Sequence, residues 1–428
     1  MRTLKPALIG FMALFTGLMV TIAVSMAIAV SQAQTATVTV YEGARLIDGN
    51  GGPVVENAAF VVEGGRFTQV GRAGQVKAPA GAARVSLAGK TVIPALIDTH
   101  VHVADSRDAL VEQLRGKTYW GVSAVMSLGT DPGDLAVTIR NEPIPGAARL
   151  RTAGRGITMP EPGRTTVPYW ITTEAEARKA IQELAAKKVD IVKIWVDDRD
   201  GKYKKLTPEL YGAVIDEAHK NQLRVTAHIF ALDDAKGLLK AGIDAFAHGV
   251  RDKDIDEEFV SMIKARPNVV LVPNMPDRGV ATDLSWLSQS MPAAELKKLQ
   301  DGATDRPAAQ QTFGIQARNL AKLNAAGVKI ALGTDGLIIW NQHTEMADMV
   351  ASGMTPAQVI VAATKNAAEF MRLADAGTVQ SGKSADFVVL DANPLDDITN
   401  TRKISAVYLR GAAVDREGMR KRWAGTAH

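Results

Sequence analysis

The sequence predicts an α/β fold: a (β/α)8 TIM barrel with a small β-sandwich domain formed from both chain ends. Three observations predict it. Eight short apolar strand candidates alternate with helix-like stretches through the middle of the chain. Both ends instead show hairpin-style alternation with Gly-rich turns. No Gly-x-Gly-x-x-Gly follows the first apolar strand, which weighs against a doubly wound nucleotide-binding sheet.

Residues 1–33 read as a signal peptide. Arg2 and Lys5 precede an uncharged, mostly apolar run from Pro6 to Val30, and Ser31-Gln32-Ala33 fits a small-x-small cleavage site. The run is also long enough to act as an uncleaved anchor. Either way the catalytic part is expected to be exported, to a bacterial periplasm or beyond, with the membrane involved only through this segment. Residues 34–93 and 377–428 are expected to form the composite β-sandwich domain. Thr37-Val38-Thr39-Val40-Tyr41 alternates, and Ala59-Phe60-Val61-Val62 runs into the turn Glu63-Gly64-Gly65-Arg66. The segments 385–391 and 406–411 return to the same style.

Residues 94–376 are expected to form the barrel. Its strand candidates are 91–98, 123–128, 149–153, 191–196, 224–227, 245–247, 269–272 and 329–332, with helices such as 173–188, 208–221 and 233–241 between them. In barrel enzymes the chemistry sits at the strand C-termini. The first strand, in Val-Ile-Pro-Ala-Leu-Ile-Asp-Thr-His-Val-His at 92–102, ends in His100 and His102. Residues i and i+2 of a strand share a face, so the two imidazoles can serve one ion. The fourth strand carries Lys193 in an otherwise apolar run. The fifth ends at His228, the sixth at His248 and the eighth at Asp335 within Leu-Gly-Thr-Asp.

One histidine at a strand end is ordinarily a hydrogen-bonded core or rim residue. Four of the chain's seven histidines at such ends point to a metal site. An ammonium at Lys193 would be costly to bury. Carbamylation by carbon dioxide would remove the charge and create a bidentate anionic ligand; a plain salt bridge is the alternative. A second Leu-Gly-Thr-Asp ends at Asp131 and reads as a turn or cap. With no cysteine in the chain, ligands must be His, carboxylate or modified Lys, and disulfides and thiol catalysis are excluded. The net charge of +4, two of it in the extreme N-terminus, is too mild for a nucleic-acid partner.

Together His100-Val101-His102, Lys193, His228, His248, Leu332-Gly333-Thr334-Asp335 and the C-terminal Gly382-Lys383-Ser384-Ala385-Asp386-Phe387-Val388-Val389-Leu390 resemble the amidohydrolase superfamily. The similarity is to the branch often labelled imidazolonepropionase-like or metal-dependent dipeptidase-like. It implies two divalent ions, by default zinc. His100, His102 and Asp335 would hold the more buried one and His228 and His248 the more exposed one, bridged by carboxylated Lys193. It also implies a water activated between the ions, with Asp335 as general base and then general acid. The substrate would be an amide: an N-acyl amino acid, a dipeptide or another amide-containing small molecule. A lactonase, esterase or phosphotriesterase on the same metals is the alternative. A barrel kept only for binding would have lost a ligand or Asp335, and none is missing.

Relatives of the dipeptidase type carry Gly-Gly-His after the third strand and a Tyr and an Arg soon after the fifth-strand His. Here Met159–Arg164 and Ile229-Phe230 stand in those places. Imidazolonepropionase has a mononuclear site without the bridging lysine. Substrate contacts are expected from Arg155, Tyr169, Trp170, Arg278, Trp340 and His343, with Arg164 and Trp286 also on candidate loops. The oligomeric state, including a homo-oligomer, is open.

Overall fold

Ten parallel-paired strands carry the middle of the chain. The computed structural model describes residues 38–425; the expected signal segment lies outside them. The strands, in chain order, begin with β1 (Thr39–Leu46), β2 (Val55–Glu63), β3 (Arg66–Arg72), β4 (Ala83–Ser86) and β5 (Thr91–Pro94). The barrel-like part comprises β6 (Leu96–Val101), β7 (Val122–Ser127), β8 (Arg149–Thr152), β9 (Ile157–Thr158), β10 (Tyr169–Trp170), β11 (Val192–Trp195), β12 (Val225–His228), β13 (Ala245–Ala247), β14 (Val270–Val272) and β15 (Lys329–Ile330). The chain closes with β16 (Phe387–Leu390), β17 (Ile404–Leu409) and β18 (Ala412–Ala413).

The barrel-like strands form two ladders rather than one closed ring: β6-β7-β8, and β10-β9-β11-β12-β13-β14-β15. Backbone hydrogen bonds cross the gap between first and last strand. Thr99 N donates to Leu332 O (2.9 Å), Thr334 N to His100 O (3.0 Å) and His102 N to Gly336 O (3.2 Å). At the other gap Asp190 N donates to Thr152 O at 2.9 Å. The scaffold is thus a TIM-barrel-like α/β fold. Alternation sorts its core as period-2 strands must. Ile97, Met126, Ala245, Ala247, Val270, Val272 and Ala331 share one cluster. Phe246, Leu271 and Ile330 join the cluster that includes the surrounding helices.

Three helices match the sequence expectation closely and show why. Glu174–Ala186 starts at Thr173 with a complete capping box closed by Glu176. Pro208–Lys220 has Pro at its first turn behind the Thr207 cap. Leu232–Ala241 ends at Gly242 in the left-handed conformation (φ 102°).

Three expectations are corrected. The segment 91–98 is not one barrel strand. β5 pairs with β1 and β16 in the end sheet, and only β6 enters the barrel. Pro94, which has no N–H to donate, ends the first ladder. The sandwich is instead a single eight-stranded sheet, β18-β17-β16-β5-β1-β2-β3 with β4 on β1. Its core is aromatic: Tyr41 stacks on Phe60 (5.1 Å between centroids) and Phe387 on Tyr408 (4.4 Å). The C-terminal part also carries a helix, Arg416–Gly425, that the alternation of its strands did not suggest. No helix among the described residues is long and apolar enough to cross a membrane.

Candidate metal centre

His100 is buried at the end of β6. Its Nδ1 pairs with Asn274 Oδ1 at 2.8 Å, and its Nε2 lies 3.1 Å from Asp335 Oδ1. His102 pairs through Nδ1 with Thr130 Oγ1 (2.7 Å) and places Nε2 2.9 Å from the same carboxylate oxygen. His100 Nδ1–H is given to an amide oxygen, so its Nε2 presents a lone pair to the centre, and His102 directs its Nε2 to the same point.

His248 shows why alternation alone does not place a site. Phe246 faces the helical layer, against Phe259, and two residues on His248 would follow it. The strand stops at Ala247, and His248 takes φ 88°, which swings its ring inward beside His100 and His228. Asn274 (φ 43°) and Asp335 (φ 52°) occupy the same left-handed region after β14 and β15. Three non-glycine residues in that region around one point mark strain held in place by the surrounding structure.

His248 Nδ1 and Nε2 are both buried without a hydrogen-bond partner. Its Nε2 lies 3.3 Å from Asp335 Oδ2. One ligand atom from each of His100, His248 and Asp335 falls within 4.8 Å of the others. An unpartnered buried imidazole is costly unless something absent here binds it. Burial pushes the His100, His228 and His248 imidazoles below their usual range, His228 to about 3, so all three are neutral and able to bind metal. Burial alone would raise Asp335, but the His100, His248 and His102 side chains around it hold it far below the carboxylate range. The donor set, nitrogen and oxygen without sulfur, fits a divalent ion of the zinc type.

Lys193 is fully buried, with Nζ 3.4 Å from His100 Nε2. Burial pushes its amine down to about 7. His228 stands with its ring 4.4 Å from that of His248, but its Nε2 is paired with Asp197 Oδ2 (3.0 Å) and lies 3.3 Å from Arg199 Nη1.

A small cavity of about 160 Å³ opens onto His102, His228 and Asp335. Glu161, Arg164 and Arg199 form one side of it. Glu161 accepts from Arg164 and from Arg199 Nε, both at 3.0 Å. Of the expected substrate contacts, only Arg164 lines this cavity. Arg155 donates to Val167 O and lies 3.9 Å over the Tyr169 ring, so the two fasten a loop. Trp170 is taken up in β10. Arg278 is ion-paired with Asp348 and, with Trp286, lines a separate cavity of about 1090 Å³. Trp340 precedes a helix and packs on the core. His343 is buried, bonded to Thr401 Oγ1 and Trp120 O at 3.0 Å each, and held down to about 3 by burial: a structural histidine.

Sequence reasoning missed the supports. Asp98 is completely buried and paired with Lys117 Nζ at 2.8 Å. It also accepts from Thr334 N (3.1 Å) and Thr334 Oγ1 (2.7 Å), tying the end of β6 to the Asp335 turn. A charge inside an apolar strand was the available signal. Asp131 is not a cap. It is buried, accepts from Ser127 and Thr152, and fixes the loop that carries Thr130; burial raises its carboxyl. Asn274 offered no signal beyond its position after an apolar strand.

A barrel-like scaffold whose rim gathers neutral imidazoles around an ionised carboxylate and a buried amine defines a metal-dependent hydrolase. The amidohydrolase family model matches residues 91–414. Imidazolonepropionase of Deinococcus radiodurans is 26% identical over 392 residues, covering 84% of this chain and 92% of that protein. Among solved structures, phenylurea hydrolase B superposes with a TM-score of 0.73 at 24% identity, covering 89% of this chain and 97% of that one. A Xaa-Pro dipeptidase with bound methionine gives 0.71 at 23%, covering 88% and 99%. These two likenesses concern the fold. The chain belongs to the amidohydrolase family, and it is a hydrolase acting on carbon–nitrogen bonds.

Proposed function

We propose that this protein is an exported, binuclear metal-dependent hydrolase of a small amide, such as an N-acyl amino acid or dipeptide. The observation that carries the metal reading is His248, whose ring nitrogens are both buried and unpartnered beside Asp335 and His100. His100, His102 and Asp335 would hold one ion, and His228 and His248 a second. His228 supports this role: its Nε2–H is given to Asp197, which leaves Nδ1 as a lone pair. Lys193 would bridge as a carbamate. Its buried amine, near neutrality in pKa, is the nucleophile that adds carbon dioxide, forming an N–C bond and releasing one proton.

When bound, divalent ions supply Lewis acidity and lower the pKa of an attacking water. The rest falls to the chain. Asp335 would take the proton of the attacking water and return it to the leaving amine nitrogen; its Oδ1 lies against His100 and His102, and its Oδ2 lies 3.3 Å from His248 Nε2. Asn274 and Thr130 hold the two imidazoles with Nε2 toward the centre.

The test is a panel of amides, lactones, esters and phosphotriesters assayed with metal-loaded protein, alongside metal analysis and intact mass. Amide turnover with two ions per chain and one added carbon dioxide is expected. Turnover confined to lactones, esters or phosphotriesters would move the scissile bond to an oxygen ester, and a single ion would remove the bridge. Export is checked by fractionating cells that express the full chain, with the mature protein expected to begin at Gln34.

A further inference from the structure

Arg251 lies three residues beyond His248, and its backbone N–H donates to Phe230 O at 2.9 Å. Its guanidinium lies 3.2 Å from the centroid of the Phe230 ring. That ring in turn stands 4.4 Å from the ring of His228 and 5.3 Å from that of His248. A fixed cation is thus held one aromatic ring away from the proposed metal ligands. Among the described residues no carboxylate or carbonyl oxygen accepts a hydrogen bond from it. The other arginines near the centre are committed: Arg199 to Asp197 and Glu161, Arg164 to Glu161.

Arg251 lines a cavity of about 480 Å³ together with Asp200, Phe230 and Pro276. Of the three carboxylates there, Asp200 acts on Arg251 only at a distance, with no hydrogen bond to it, and the other two are already engaged. Asp277 pairs with Arg306, and Asp252 accepts from Leu232 N at 3.0 Å. Asp197, Asp335 and Asp200 lie near enough to favour its charge, but a half-buried guanidinium that has given up much of its hydration and hydrogen-bonds to no carboxylate keeps its donors open. Burial lowers it only to about 10, so it remains a cation at neutral pH. Five N–H donors in a planar fork match a carboxylate bidentately.

We propose that Arg251 is the receptor for a substrate carboxylate, so that the enzyme acts on amides bearing a free acid on the side of His228 and His248. This rests on the metal-dependent amide hydrolysis proposed above. The test is calorimetry with metal-loaded protein and two probes differing only in charge, N-acetyl-L-phenylalanine and its carboxamide. Wild type is expected to bind the acid at least about tenfold more tightly. Arg251→Gln should bring the two within about twofold, and Arg251→Lys should keep part of the preference. Melting temperature and metal content should match wild type in both variants.

No preference in wild type, no measurable acid binding, or a preference that survives Arg251→Gln overturns the assignment. A preference lost in Arg251→Gln while wild type hydrolyses no amide would leave Arg251 as a carboxylate receptor and overturn the amide reading instead.

Discussion

Asp335 has one oxygen between two imidazoles and the other facing His248 at 3.3 Å, so its part in proton transfer is separable from mere ligation. Asp335→Asn should retain most of the bound metal and lose about 10²- to 10⁴-fold in turnover, measured as kcat beside metal stoichiometry. Near wild-type turnover would sink its role as base. Asn274 acts through His100, and its loss frees a ring nitrogen rather than a ligand. Asn274→Leu should weaken metal affinity by about 10- to 100-fold, read by competition with a chelator. Unchanged affinity would show that packing alone orients His100. Asp335 and the histidines were legible as candidates because motif residues at strand ends are visible in one dimension. Asn274 and Asp197 were not, because each reaches its partner from the end of a different strand, remote in sequence.

The elements that carry these residues are joined at Asp98, which links β6 to the turn before Asp335 and to Lys117 on the helix Arg107–Tyr119. Removing one member of a fully buried pair leaves the other charge without compensation. Asp98→Leu should therefore cost about 3–5 kcal/mol in denaturant unfolding. A loss well under 1 kcal/mol would show that Lys117 finds another partner. Helix positions were legible where caps are chemical: Thr173, Thr207 and Gly242 mark their ends in the sequence. The break of segment 91–98 was not, since a continuous apolar run conceals that its halves pair in different sheets.

At the scale of the whole molecule, burial of neutral histidines links stability to pH. His228 and His343 each hold a pKa of about 3 in the folded protein, against about 6.5 when unfolded. Between those values the unfolded chain binds protons that the folded chain does not, so stability rises with pH there. Metal-free protein should then lose stability as pH falls from about 6.5 toward 3, seen as a falling melting temperature across buffers. A flat profile would mean that both rings are protonated in the fold. Metal loading should raise the melting temperature at fixed pH, and chelation should reverse it, because an ion held only by the folded chain stabilises by mass action.

The sequence by itself determined a TIM-barrel-like α/β fold class, the strand ends at which candidate ligands collect, and His100, His102, Lys193, His228, His248 and Asp335 as the candidate set. These are carried by local signals: apolar periodicity, caps, and polar residues that interrupt buried strands. Only the tertiary structure decided that the two ends pair in a single sheet in place of a sandwich, that left-handed backbone at His248, Asn274 and Asp335 turns the site inward, and which arginines are already neutralised. Charge pairing and backbone reversal depend on neighbours brought together through space, and a linear pattern does not specify them.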